Sequence, residues 1–127
     1  MKIFISLLIV IFFFSSCAQK QVINSSSATI LIKTPTMKFY DKGFIYKYDS
    51  YTQVQIYSAG KTVLDLKIYE DKVCQSMFEC EDLKQFNKKY LHSSYKEDFL
   101  KSIFDNNNKE TVFRDKEHNI LIKIKKD

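Results

Sequence analysis

The fold is decided by the stretch Gln53–Leu66, QVQIYSAGKTVLDL, in which apolar and polar residues alternate on both sides of a turn. A period of two places every second side chain on the same face of a β-strand. Val54 and Ile56 before the turn, and Leu64 and Leu66 after it, therefore share one buried face. An Ala-Gly pair between the two runs is typical of a tight turn. The stretch predicts two antiparallel strands that bury one side.

The same period extends towards both ends of the chain. Further strands are predicted at Thr29–Lys33, Met37–Tyr40, Phe44–Asp49, Thr111–Phe113 and Ile120–Lys125. The segment Asp41–Gly43 is interpreted as a turn between two of them. The lysines of the last strand alternate with isoleucines and are expected to face outward on an exposed sheet edge.

Between the strand regions the period changes to that of an α-helix. Leu83, Phe86, Tyr90 and Leu91 form one stripe, and Tyr95, Phe99, Leu100, Ile103 and Phe104 form a second. Ser94 with Glu97 has the spacing of a capping box at the start of the second helix. The order of strands, two helices and strands predicts an α+β fold: an antiparallel β-meander or incomplete barrel packed against two short helices.

The N-terminal residues have the three parts of a secretory signal. Lys2 is followed by an apolar run from Ile3 to Phe14, and Ser15 and Ser16 are small residues suited to a cleavage site. Twelve helical residues span about 18 Å, which is shorter than a bilayer core of about 30 Å. The run therefore predicts a signal peptide over residues 1–16 and not a membrane-spanning helix.

The segment Phe14–Cys17, FSSC, resembles the lipobox of bacterial lipoproteins. The resemblance implies that Cys17 carries acyl chains such as palmitate and becomes the first residue of the mature protein. It also implies a domain anchored in the bacterial envelope, and Ala18 favours the periplasmic face of the outer membrane. Residues 17–28, Ser-rich at their end, are interpreted as a lipidated cysteine and a flexible tether, and residues 29–127 as a single domain.

The charge and the arginine content of the chain limit the classes of partner that it can bind. Without Lys2 the chain has 19 basic and 15 acidic residues, so its formal charge is 19 − 15 = +4, and Arg114 is the only arginine. A chain rich in lysine and poor in arginine argues against dedicated phosphate or nucleic-acid recognition, which favours arginine forks. The lysines form either an ordinary solvated surface or a positive face towards anionic lipid or wall polymer.

With Cys17 lipidated, Cys74 and Cys80 remain for a disulfide in an oxidising compartment, or as two free thiols. A metal site is not expected, because His92 and His118 are isolated in the sequence. Neither a Gly-rich phosphate loop nor a G-x-S-x-G motif is present. Glu97 and Asp98 are adjacent and point to different helix faces. We therefore expect neither an enzyme nor a cofactor.

The order of elements also resembles lipoprotein receptors of the LolA/LolB type and, without a functional implication, small lipoproteins of ε-proteobacteria. The resemblance rests on the tether, the meander with its QIYSAG turn, the helical stripes and the closing ILIKI strand. It implies that an incomplete barrel holds acyl chains of lipoproteins in transit. The lipid-binding residues would then be Phe39, Phe44, Tyr46, Val54, Ile56, Leu64 and Leu66 on the concave face of the sheet.

A second function stays open. The domain could be a lipid-tethered interaction module that docks another envelope protein or a wall polymer through an exposed surface, without a small-molecule ligand. A cavity between sheet and helices favours lipid handling, and a filled core favours the interaction module.

The lipobox makes a direct prediction. Replacing Cys17 with alanine removes the thiol that accepts the acyl chains, so Cys17→Ala should abolish palmitate labelling and allow salt washing to release the protein from membranes. Palmitate labelling that persists in Cys17→Ala would contradict the lipobox.

Overall fold

The computed structural model describes residues 21–75 and 79–127, in which eight strands and two short helices form one α+β arrangement. The elements are β1 (Asn24–Lys33), β2 (Lys38–Lys47), β3 (Tyr51–Ser58), β4 (Lys61–Tyr69), β5 (Lys72–Cys74), β6 (Cys80–Asp82), α1 (Leu83–Tyr90), α2 (Phe99–Phe104), β7 (Glu110–Asp115) and β8 (Ile120–Lys126). An antiparallel sheet with two short helices is confirmed. Residues 1–16 and Cys17 lie outside the described residues.

The eight strands form one antiparallel sheet in the order β6-β5-β4-β3-β2-β1-β8-β7, and the sheet is not closed. Strand β1 pairs with β2 on one side and with β8 on the other. The prediction that the last strand lies at an edge is wrong, because β7 folds back along β8 and takes the edge position. No helix in the described part of the chain is long and apolar enough to cross a membrane.

The core lies on one face of this sheet, under the helices. Aliphatic side chains alternate towards it from β1, β3, β4 and β8: Ala28, Ile30, Ile32, Val54, Ile56, Leu64, Leu66, Ile68, Ile120, Ile122 and Ile124. Phe86 of α1 and Phe104 of α2 cover them, so the two apolar helix stripes are confirmed as core contacts. Lys47 Nζ and Lys126 Nζ donate to the carbonyl oxygens of Asp105 and Asn106, which fixes the end of α2 over the sheet.

The space between sheet and helices is filled around the central strands. Val54 and Ile56 have 0% of their surface exposed, and Leu66 has 1%. A side chain that lined a void wide enough for water would keep accessible surface on that side, so no water-sized void adjoins these residues. The filled core favours the interaction module over a pocket for acyl chains.

Strand β2 differs from its prediction in two ways. It is continuous, and the expected turn at Asp41–Gly43 is wrong. Gly43 allows β2 to lie close to β3, because a Cβ at this position would overlap the carbonyl oxygen of Gln55 on β3. The side chain that points into the core is Ile45, 2% exposed, whereas Phe44 lies on the opposite face and is 39% exposed.

Two boundaries also change. Strand β1 begins at Asn24 and not at residue 29, because Asn24 pairs with Lys47 and Ser27 pairs with Phe44 on β2. This pairing uses backbone groups, so the polar composition of the segment does not reveal it. Helix α2 begins at Phe99, so the capping box at Ser94 is wrong. Helix α1 is capped as helices commonly are, by the Asp82 carboxylate, which accepts from the Gln85 N–H.

The disulfide between Cys74 and Cys80 is confirmed. The two cysteines face each other as register partners on β5 and β6, a short hairpin that the sequence pattern did not predict. Its three-residue strands are too short for alternation to be visible. The bridge therefore holds together the strand pair that leads into α1.

The filled core predicts the response to overpacking. Leu66→Phe should lower the free energy of unfolding by about 1–3 kcal/mol, because neighbouring side chains must move to accept the larger ring. Val63→Phe is the matched control: Val63 lies on the same strand, is 44% exposed and has room for a larger side chain. Chemical denaturation checks both variants. Unchanged stability of Leu66→Phe together with binding of a fluorescent fatty acid by the parent chain would restore the acyl pocket.

Candidate functional site

The seven residues expected to bind lipid do not form one site. Val54, Ile56, Leu64 and Leu66 are buried in the core, and Phe39 is half-buried against it. Phe44 and Tyr46 lie on the other face of the sheet, because β2 continues without the expected turn and its inward positions are those of Phe39 and Ile45. The sheet therefore separates the predicted set into core residues and surface residues.

The face that turns away from the helices, here called the outer face, has two halves. On β2, β3 and β4 its side chains bind one another. Asp65 accepts from the amides of Gln53, at 2.9 Å, and Gln55, at 3.2 Å. The Phe44 ring packs against Tyr46 and Tyr57, with centroids 6.0 and 5.7 Å apart. Because both Asp65 oxygens already have donors, this half is a self-contained polar and aromatic network.

The other half of the outer face spans β2, β1, β8 and β7 and carries cations between apolar side chains. The registers place Lys33, Leu121 and Arg114 in one row across β1, β8 and β7. The next row contains Leu31, Lys123 and Val112. We call this half the basic face: Lys33, Lys38, Lys42, Lys123, Lys125 and Arg114 with Leu31, Tyr40, Val112 and Leu121.

Few carboxylates balance these charges, and the one on the same rows of the sheet is Glu110, the register partner of Lys125, which forms no ion pair within the described residues. Lys42 pairs with Asp127 at 2.9 Å, and among the described residues the other five cations of the basic face have no ion-pair partner. Apolar surface is exposed between them, since Tyr40 and Val112 are 69% and 53% exposed. A groove of about 470 Å³, lined in part by Leu31, Tyr40 and Lys123, crosses the face. The surface is therefore both cationic and apolar.

The two histidines of the chain form a second constellation at one end of the fold. The His92 and His118 rings stack with centroids 3.6 Å apart. His118 Nδ1–H donates to Asp115 Oδ2 at 2.7 Å, and the Tyr95 hydroxyl donates to the same oxygen at 2.5 Å. These contacts fasten the loop between the helices to the turn between β7 and β8.

The constellation has the geometry of a structural clamp. The Ser94 backbone N–H can only donate, so His92 Nδ1 is an acceptor there, at 3.1 Å, and forms a local turn with Ser94. His92 stacks on His118 and has no carboxylate partner in the described part of the chain. Residues 21–75 and 79–127 contain no group of three or more side chains that could hold a metal ion.

The electrostatics of the clamp centre on Asp115. Hydrogen bonds from the Tyr95 hydroxyl and from His118 stabilise its ionised form and lower the pKa of the Asp115 carboxyl to about 2. Burial, together with the hydrogen bond to Asp115, raises the pKa of the Tyr95 hydroxyl. The sequence did not predict the stacking of His92 on His118, because the two residues are distant in the chain. The only local signal is Asp115, which lies three residues before His118 at a turn.

The low pKa of Asp115 predicts a loss of stability in acid. A carboxyl group whose pKa is lower in the folded state stabilises the fold above its ordinary pKa of 3.8, and this contribution disappears as the pH falls towards about 2. Asp115→Asn should therefore be less stable than the parent chain at pH 5, and the difference should shrink between pH 4 and pH 2. Denaturation at each pH measures it, with Asp71→Asn, an exposed aspartate, as the control. A constant difference across this range would rule out the role assigned to Asp115.

Comparison with known proteins adds no further constraint on the site. No protein family, no curated protein and no solved structure matches this chain.

Proposed function

We propose that this chain is a membrane-tethered interaction module that holds its basic face against an anionic phospholipid surface. The observation that carries the proposal is the alternation of cations with exposed apolar side chains on a sheet face where, within residues 21–75 and 79–127, most of the cations have no ion-pair partner. A filled core on the opposite face supports a role in surface binding over a role in carrying acyl chains.

The lysines supply the electrostatic part of the binding. A lysine close to an anionic membrane contributes about 1 kcal/mol, and the effect falls off within a Debye length. Lys33, Lys123 and Lys125 are free of ion pairs within the described residues, so no internal contact competes with the headgroups. Their aliphatic stems can lie along the apolar surface while the ammonium groups remain among the phosphates.

The apolar residues distinguish a lipid surface from a soluble polymer. Tyr40 and Val112 stand 69% and 53% exposed beside these lysines. Side chains of this kind are stabilised at the boundary between headgroups and acyl chains. A wall polymer of repeated negative charge would neutralise the lysines and leave the apolar side chains in water. The combination therefore favours a membrane as the occupant.

The tether places the domain close enough for this contact. Strand β1 begins at Asn24, so a lipidated Cys17 would be linked to the sheet by about 25 Å of fully extended chain at most. Val22 and Ile23, directly before the strand, are 44% and 65% exposed. These apolar residues support an approach of the sheet to the headgroup region.

A tryptophan reporter tests the proposal, since the chain contains no tryptophan. Tyr40→Trp places the probe on the basic face, and Tyr90→Trp places one on α1, on the other side of the sheet. In nanodiscs that contain phosphatidylglycerol and brominated acyl chains, the indole fluorescence of Tyr40→Trp should be quenched several-fold more strongly than that of Tyr90→Trp. The difference in quenching between the two probes should decrease in discs that keep the brominated acyl chains but contain phosphatidylcholine as the only headgroup.

Both variants carry the same anchor, so anchoring alone cannot produce a difference between them. Equal quenching of the two probes would overturn the proposal. If discs leave the Tyr40→Trp probe unquenched, but a soluble polyanion shields it from acrylamide, a wall polymer would replace the membrane as the partner.

A further inference from the structure

We propose that a cleft at one end of the basic face is a binding site for a phosphate group. The cleft has a volume of about 300 Å³ and lies beside the turn between β7 and β8. Lys33 from β1, Arg114 from β7 and Lys116 from the turn all line it. Two separate segments of the chain, β1 and the end of β7 with its turn, therefore bring three positive charges to one small space.

The pairing of the strands explains why the cations converge. Lys33 is the register partner of Leu121, and Leu121 is the partner of Arg114. Neighbouring strands lie about 4.8 Å apart, so the two charged residues flank Leu121 at about 10 Å between their backbones. Side chains of this length can reach over Leu121 and hold one anion between their charged ends.

Arg114 is the residue that most favours an oxyanion. It is the only arginine of the chain, and its guanidinium group can donate two parallel hydrogen bonds to a phosphate. Within the described residues, neither Arg114 nor Lys33 nor Lys116 forms an ion pair. Five N–H donors on one side chain are thus available to a ligand.

The acidic residue of the cleft, Asp115, forms no ion pair with these cations and offsets only part of their charge. Asp115 accepts from the Tyr95 hydroxyl and from the ring and backbone nitrogens of His118. Its oxygens are therefore directed towards the histidine clamp. Three cations and one carboxylate leave a formal charge of 3 − 1 = +2 in the cleft, which matches a doubly ionised phosphate.

Donors on three side chains suit a tetrahedral phosphate better than a planar carboxylate, which a single guanidinium fork can satisfy. Asn119, in a left-handed conformation with φ 56°, adds a polar side chain to the lining. The phosphate has two possible sources, a phospholipid headgroup or a soluble phosphoester. The site rests on the proposed function only if the source is the headgroup.

A single arginine makes the test direct, because the arginine side-chain Nε–Hε signal in an NMR spectrum can come only from Arg114. The full chain in neutral detergent is titrated with inorganic phosphate at constant ionic strength. The signal should shift along a saturating curve. Lys33→Gln and Lys116→Gln should each raise the dissociation constant at least threefold, whereas Lys125→Gln, elsewhere on the basic face, should leave it unchanged.

Nanodiscs then identify the source. A shift with both phosphate and phosphatidylglycerol discs supports the site and assigns it to the headgroup, and a shift with phosphate alone supports it and assigns it to a soluble phosphoester. A linear shift that chloride reproduces, or equal affinity for acetate, overturns the site. Quenching of the Tyr40→Trp probe without a response of Arg114 would overturn this inference and leave the membrane-facing module intact.

Discussion

The pairing of β1 with strands on both of its sides is the constraint on which the rest of the structure depends. Its backbone binds β2 from Asn24 to Lys33 and β8 from Ala28 to Lys33. Ala28, Ile30 and Ile32 are almost completely buried as a result. The same pairing brings the C-terminal strand next to the N-terminal one, and Ser27 Oγ donates to Asp127 at 2.9 Å where they meet. Without this contact the core and the basic face would both lose their central strand.

Local sequence patterns were sufficient to predict which side of a strand faces the core where that strand had one clearly apolar side. On β3 and β4 the predicted inward positions are aliphatic and alternate with Gln53, Gln55 and Asp65, so their predicted phase was correct. On β2, Phe44, Ile45 and Tyr46 are all apolar in part, and alternation alone cannot choose between the two faces. The choice is made by Gly43, which lets β2 approach Gln55 closely and turns Ile45 inward. A tertiary contact thus decided what the local period left open.

The candidate sites could not be predicted for the same reason. The row of Lys33, Leu121 and Arg114 joins residues that are far apart in sequence, and it exists only because β8 lies between β1 and β7. The stacked pair of His92 and His118 likewise requires the helix loop to meet the last turn. Sequence spacing shows which side chains share a face of one strand, and strand order determines which strands share that face.

The clustering of unpaired cations on one sheet face is the strongest physical reason to expect an external partner. Lysines elsewhere, such as Lys61, Lys88 and Lys96, also form no ion pair within the described residues, so the basic face differs by the grouping of its cations. Lys47, Lys89 and Lys101 have carboxylate partners within the fold. On the basic face, Lys33, Lys123 and Lys125 have none in the described part of the chain, although they lie on adjacent strands. Like charges on neighbouring strands repel each other, and this repulsion disappears when an anion lies between them. A negatively charged surface laid against the basic face would therefore remove a repulsion that no carboxylate in the described part of the chain relieves for Lys33, Lys123 and Lys125.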